Sequence, residues 1–365
     1  MSASPRLYAL DNLRTLSILL VLARHSIFAY QDFYAFYERA VFGNIHPILD
    51  TVWTPFSWLV GFSDRFHITT LFFVSGIFLY RSFRKYGPVD FLVKRWRRLG
   101  RPMLLGIVCL VWLFYLPAFW RLGLKTTSLR GLFGSWALTA TNGFGNLGPF
   151  WFLYVLFGFN LATAFSFKVT SRLGRNFKLN LSLYGYWKLI GGIILLTLFA
   201  EVFPFVVPLG LLSLSGRNFV QYLGYFLLGG VVGYAQQREN DTSFLNLLKR
   251  VWLPLSLTTL GFFWLEFPRP FLSAGLILSG IGTSLRFLNR PIPWLTFLNR
   301  RSFGIYYLHY LFVVYLHFWL LQVGWHPGVK ALLVFSGSLG GSLGLVYLWE
   351  KLTAFGFLRA KTGRN

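Results

Sequence analysis

A chain of 365 residues and 42.0 kDa is long enough for two or three soluble domains, yet 55% of it is hydrophobic, only 13% is charged and its mean hydropathy is +0.55. Apolar runs of roughly 20 residues recur from end to end, the length that a hydrocarbon core of about 30 Å demands, so a soluble fold is excluded. The net charge of +24 does not point to nucleic acid, because Lys and Arg gather in short segments between the apolar runs.

The pattern predicts an all-α, polytopic membrane protein of about ten transmembrane helices forming a single domain over residues 1–365. The spans expected in chain order are Leu13–Tyr30, Ile68–Phe83, Pro102–Trp120, Pro149–Phe167, Trp187–Val207, Phe219–Ala235, Val251–Phe267, Phe271–Leu288, Phe303–Val323 and Ala331–Phe357. The first lacks a small-residue cleavage site and is expected to be retained. Ile48–Phe62 is apolar but interrupted by Asp50 and Pro55, which suggests a re-entrant or interfacial segment. Even-numbered loops carry most of the cations, including Arg81, Arg84, Lys85, the 94–101 cluster, Lys168, Arg172, Arg175, Lys178, Lys249, Arg250 and Arg286. The odd loops offer fewer, among them Arg39, Arg65, Lys125, Arg130, Arg217, Arg269 and Lys330, so both termini are placed in the cytoplasm. The pairs Gly229/Gly233, Gly337/Gly341 and Gly340/Gly344 have the small-xxx-small spacing of close helix crossings.

Ionisable side chains inside a bilayer cost a few kcal/mol or more, so each is a functional candidate. Arg14 and His25, eleven residues apart, project from one face of the first span to within about 20°, separated by about 16 Å along its axis. That spacing alone also accommodates a snorkelling arginine and a histidine that merely packs between helices. An imidazole is the natural group to take a proton from a hydroxyl near neutral pH. Arg24 adds a charge about 100° away, either paired with Glu201 or facing a polar lumen. Before the third span, Val93–Pro102 contains Arg95, Arg98 and Arg101 at i, i+3 spacing. The run is an anchor that attracts anionic lipid, and it equally suits a phosphate-rich ligand. Further candidates near the outer ends of spans are Asp64, Arg65, His67, Trp151, Tyr154, Glu201, Tyr306, Tyr307 and His309. His46, His67, His309, His317 and His326 lack paired ligand spacing with an acid, so no metal is expected. The one cysteine, Cys109, excludes an intramolecular disulfide.

Taken together, these residues resemble the acyltransferase 3 membrane acyltransferases, and within them the group similar to glucan biosynthesis protein C. The likeness is carried by Leu10-Asp11-Asn12-Leu13-Arg14 followed after ten residues by His25, with support from Leu71–Gly76, Arg95/Arg98/Arg101, Pro149–Tyr154 and Ser302–His309. Where relatives acting on O-antigen carry an acid after the tryptophan of the fourth span, Trp151 is followed here by Phe152-Leu153-Tyr154. The resemblance implies an inner (plasma) membrane O-acyltransferase that moves an acyl group from cytosolic acyl-CoA to a hydroxyl of an extracytoplasmic glycan, with no tightly bound cofactor. Membrane lipid is the remaining partner. It implies that His25 is the base, that Arg14 assists it at the donor, that Arg95, Arg98 and Arg101 hold the CoA phosphates, and that Trp151, Tyr154 and His309 line the substrate path. The chain ends at Asn365 with no appended hydrolase-like domain, so transfer is expected within the membrane domain or on a separate partner. The rival is a transporter or flippase moving an acyl or lipid-linked substrate without chemistry, which predicts the same spans.

Overall fold

Proline and glycine set the breaks between helices in the computed structural model, which describes residues 7–30, 50–121, 131, 147–172, 182–209 and 213–362. The expected loop cations Arg39, Lys125, Arg130, Arg175 and Lys178, together with His46, lie outside the described residues. Helix α1 (Tyr8–Ile27) ends in the 3-10 turn Phe28–Tyr30, and α2 (Thr54–Ser63) leads through the turn Asp64–Phe66 into α3 (His67–Arg95). A π-helical turn, Trp96–Gly100, joins α3 to α4 (Arg101–Cys109), which is followed by α5 (Val111–Arg121) and α6 (Phe150–Arg172). After α7 (Leu183–Val202) comes a hairpin of two three-residue strands, β1 (Val206–Pro208) and β2 (Ser213–Ser215). The remainder is α8 (Gly216–Tyr234), α9 (Ser243–Arg250), α10 (Trp252–Trp264), α11 (Arg269–Phe287), α12 (Pro293–Leu320) and α13 (Pro327–Thr362).

Pro55, Pro102, Pro270 and Pro293 all stand in the first turn of a helix, where the missing N–H would have no intrahelical partner. Pro55 therefore starts α2 rather than breaking it, a correction to the interrupted segment expected there. Inside α3, Pro88 requires a non-helical residue before it, and Gly87 meets that need at φ 70°, ψ 172°, which only glycine adopts readily. Ser182 and Ser215 accept hydrogen bonds from Gly185 N and Asn218 N, capping α7 and α8.

Among the described residues, five stretches are long and apolar enough to cross a membrane: Tyr8–Tyr30, Thr54–Phe83, Leu183–Val202, Pro293–Leu320 and Pro327–Thr353. The other expected spans are helical but fall short in length or hydropathy; Leu110, for instance, divides Pro102–Trp120 between α4 and α5. The fifth expected span ends early, at Val202, because Val206 and Val207 belong to β1.

Two contacts organise the bundle. Helices α3 and α8 run parallel in tight contact: a Cβ built at Gly229 would lie 2.1 Å from the Phe73 carbonyl oxygen, and one at Gly233 2.1 Å from that of Ile77. Helices α12 and α13 run antiparallel, with Gly341 against Phe312 and Gly337 against Leu316. Gly340 and Gly344 meet nothing within 4 Å among the described residues, so only the first of the two overlapping pairs on α13 is a helix contact. The larger core is aromatic, with Phe72, Phe150, Phe159, Phe226, Tyr306 and Tyr310 buried together.

Candidate active site

The start of α1 is fastened by its own polar motif. Asn12 is buried and its Nδ2 donates to the carbonyls of Leu288 (2.8 Å) and Arg290 (3.1 Å), satisfying acceptors just past the end of α11. Ser284 Oγ donates to the Ala9 carbonyl at 2.7 Å. Residues 9–14 therefore have a fixed register against the α11–α12 connection, which sets the direction in which Arg14 and His25 leave the helix.

Both side chains go to the same neighbour, α12. The Arg14 guanidinium donates to Asn299 Oδ1 at 2.6 Å, with Asp11 3.8 Å away. Eleven residues along, the His25 ring lies 5.4 Å from that of His309 and 5.0 Å from that of Tyr310, centroid to centroid, edge-on to the tyrosine. Beyond it, His317 Nε2 lies 3.0 Å from the Ser26 carbonyl, to which it donates, tying off the last turn of α1. Contacts rise together along both chains, so α1 and α12 are parallel.

His309 is 1% exposed, and its Nδ1 lies 2.7 Å from the Tyr306 carbonyl and 3.2 Å from that of Ile305. A carbonyl only accepts, so Nδ1 carries the proton and Nε2 bears the lone pair. That Nε2 is buried and has no hydrogen-bond partner among the described residues. The tyrosines before it draw two other helices inward: the Tyr306 hydroxyl donates to the Pro149 carbonyl at the start of α6, and the Tyr307 hydroxyl to the Pro102 carbonyl at 3.0 Å.

Pro102 follows Arg101, so the Tyr307 bond attaches the arginine-rich segment to the helix that carries His309. The arginines are not the uniform stripe expected of one continuous α-helix, because the π turn between Arg95 and Arg101 is wider than an α turn. Arg98 and Arg101 are exposed, whereas Arg95 is half-buried with its guanidinium 5.0 Å from the Phe91 ring. Burial, and then repulsion from Arg98, lower the Arg95 pKa to about 10, which leaves it charged at neutral pH.

Trp151 and Tyr154 lie toward α8 and the hairpin. The Trp151 ring is 5.8 Å from Tyr222, and the Tyr154 hydroxyl donates to the Leu209 carbonyl at 2.6 Å. Trp151 is linked to His309 through a chain of ring contacts, by way of Phe152 and Tyr306. Arg24 pairs with neither of its expected surroundings: it forms a two-pronged ion pair with Asp64, its Nη2 2.9 Å from Oδ2, and lies 4.6 Å over the Phe28 ring. Glu201 instead takes Arg217, at 3.3 Å. Asn299 and Tyr310 went unnoticed in the sequence, although the ten residues from Asn299 to His309 nearly repeat the eleven from Arg14 to His25.

The site is thus a partly buried His25 against a buried His309 in a helical bundle, with an arginine-rich segment attached to the helix that carries His309. The model of the acyltransferase 3 family (Acyl_transf_3), described as an acyltransferase domain, matches residues 7–348, and the chain belongs to that family. No curated protein and no solved structure matches it. The protein is therefore an acyltransferase, acting on acyl groups other than aminoacyl groups, and the family match sets aside transport without chemistry.

Proposed function

We propose that the protein is an inner-membrane O-acyltransferase that takes an acyl group from cytosolic acyl-CoA and places it on a hydroxyl of an extracytoplasmic glycan, as the likeness to the glucan biosynthesis protein C group implies. The observation that carries the reading is the convergence of Arg14 and His25, from one helix, on Asn299 and on His309/Tyr310 of a single parallel partner. Arg95, Arg98 and Arg101 hold the CoA phosphates, Arg14 steadies the donor at the entrance, and Trp151 and Tyr154 flank the acceptor path.

In the transfer step the acceptor oxygen forms a bond to the thioester carbonyl carbon while His25 removes the hydroxyl proton. The tetrahedral adduct then expels the CoA thiolate, which recovers that proton from His25. Atoms and charge balance without a metal or a further reactant. Holding both substrates in one site supplies the entropic part of the acceleration, and the base supplies the proton transfer.

A ten-span topology with both termini cytoplasmic accompanies this reading. Successive spans alternate in direction, so parallel helices must share parity; α1 and α12 are spans one and nine, α3 and α8 are spans two and six, and antiparallel α12 and α13 are nine and ten. The test is to incubate purified protein with radiolabelled acetyl-CoA or succinyl-CoA and glucose oligomers. Label on the oligomer with release of free CoA supports the reading, and acyl-CoA turnover that leaves no label on an oligomer hydroxyl contradicts it.

A further inference from the structure

Of the two histidines that meet between α1 and α12, only one is needed as the base, which leaves His309 to be explained. Its Nδ1–H is spent on the Tyr306 carbonyl, and its Nε2 is a buried lone pair with no donor among the described residues. Such an acceptor, stripped of water, carries a desolvation penalty unless something donates to it. The ring of His25 is 5.4 Å away, centroid to centroid, and tilted by 39°, a separation at which the N–H of one imidazole can reach the lone pair of the other. Tyr310 lies edge-on to His25, and Phe114 lies edge-on to Tyr310, so the surroundings of the pair are aromatic and restrict how the His25 ring can turn.

We infer that His309 is a positioning residue for His25: its Nε2 accepts a hydrogen bond from one ring N–H of His25, so that the other nitrogen of His25 presents its lone pair to the acceptor hydroxyl. This rests on the acyl-transfer reading for its purpose but not for its geometry. The arrangement does with two imidazoles what a carboxylate and an imidazole do in a hydrolase triad. A neutral orienting group suits this place, because a carboxylate buried among Phe, Tyr and His rings would pay a far larger desolvation cost. When His25 takes the proton, the charge is shared across the N–H···N bond while His309 keeps its own proton on Nδ1. No proton leaves the pair until the CoA thiolate takes it from His25.

The test is nuclear magnetic resonance on full-length protein in detergent, labelled with 15N at its six histidines, each signal assigned by a single substitution. In the wild type His309 should show protonated Nδ1 and bare Nε2, and His25 a single tautomer. In His309→Leu the His25 signal should change to that of exchanging tautomers, and in His309→Gln, whose carboxamide oxygen also accepts, it should stay close to wild type. A His309 protonated at Nε2, or a His25 signal indifferent to His309→Leu, overturns the inference. In acyl transfer, His309→Leu should lower kcat about 10²-fold at unchanged KM for the donor, and His25→Gln/His309→Leu should be no slower than His25→Gln alone. Losses that multiply in the double variant also overturn it. Wild-type transfer by His25→Gln would instead refute the acyl-transfer base while the spectra still decide the pairing.

Discussion

Arg24 and Lys330 show how differently two ion pairs behave in one protein. Lys330 and Asp50 are paired at 2.6 Å, with side chains only 3% and 8% exposed, so removing one partner strands a buried charge. Asp50→Ala should destabilise the detergent-solubilised protein by about 3–5 kcal/mol, seen as a large fall in thermal midpoint, and Asp50→Leu with Lys330→Met should recover most of it. Arg24 and Asp64 are more accessible, at 20% and 39%, so Asp64→Ala should lower the thermal midpoint less than Asp50→Ala does. The arginines before α4 are a third case. If they grip phosphate, Arg95→Ala with Arg98→Ala should weaken acyl-CoA binding by at least about 10²-fold in a titration, since each charged hydrogen bond contributes about 1.5–3 kcal/mol. An unchanged affinity with normal insertion would return them to a topological role.

At the scale of helices, close crossings separate glycines that matter from those that do not. A methyl at Gly233 must displace the Ile77 backbone, because the built Cβ is 2.1 Å from its carbonyl oxygen. Gly233→Ala should therefore lower stability by about 1–3 kcal/mol, whereas Gly340→Ala, which meets nothing within 4 Å, should be neutral or slightly stabilising. Scanning fluorimetry on the two variants makes the comparison. Spacing marked Gly229 and Gly233 correctly, because both lie on the face that meets α3. It could not distinguish Gly337/Gly341 from Gly340/Gly344, since the two pairs share a pattern and differ only in which side of α13 has a neighbour. The arginine segment shows a related limit: i, i+3 spacing predicts a common face only while the turn stays α-helical, and a π turn intervenes at Trp96–Gly100. Pro55 misled because a proline within an apolar run looks the same whether it breaks a helix or begins one.

For the whole molecule, composition alone excluded a soluble fold, and apolar runs placed the greater part of each expected span on helix. The limits of the spans were less legible: Val206 and Val207 are as apolar as the residues of α7, yet pair as a strand with Ser215 and Leu214. The shared direction of Arg14 and His25 was legible because one helix carries both, whereas contacts between distant segments, such as Arg14 to Asn299 and Arg24 to Asp64, were not. The alternating topology is open to direct measurement. With Cys109 replaced, a cysteine at exposed Arg269 should react with an impermeant maleimide added outside intact cells, and one at exposed Lys249 only after the membrane is permeabilised. Reaction of both from outside would contradict cytoplasmic termini.

The central claim is that His25 is the base of an acyl transfer, and one rate tests it most directly. Transfer from radiolabelled acyl-CoA is compared between wild type and His25→Gln, a substitution that retains much of the volume and hydrogen-bonding capacity but cannot accept the proton. The account predicts a fall in kcat of about 10²–10⁴-fold with the protein still inserted and folded. A rate within a few-fold of wild type would contradict it.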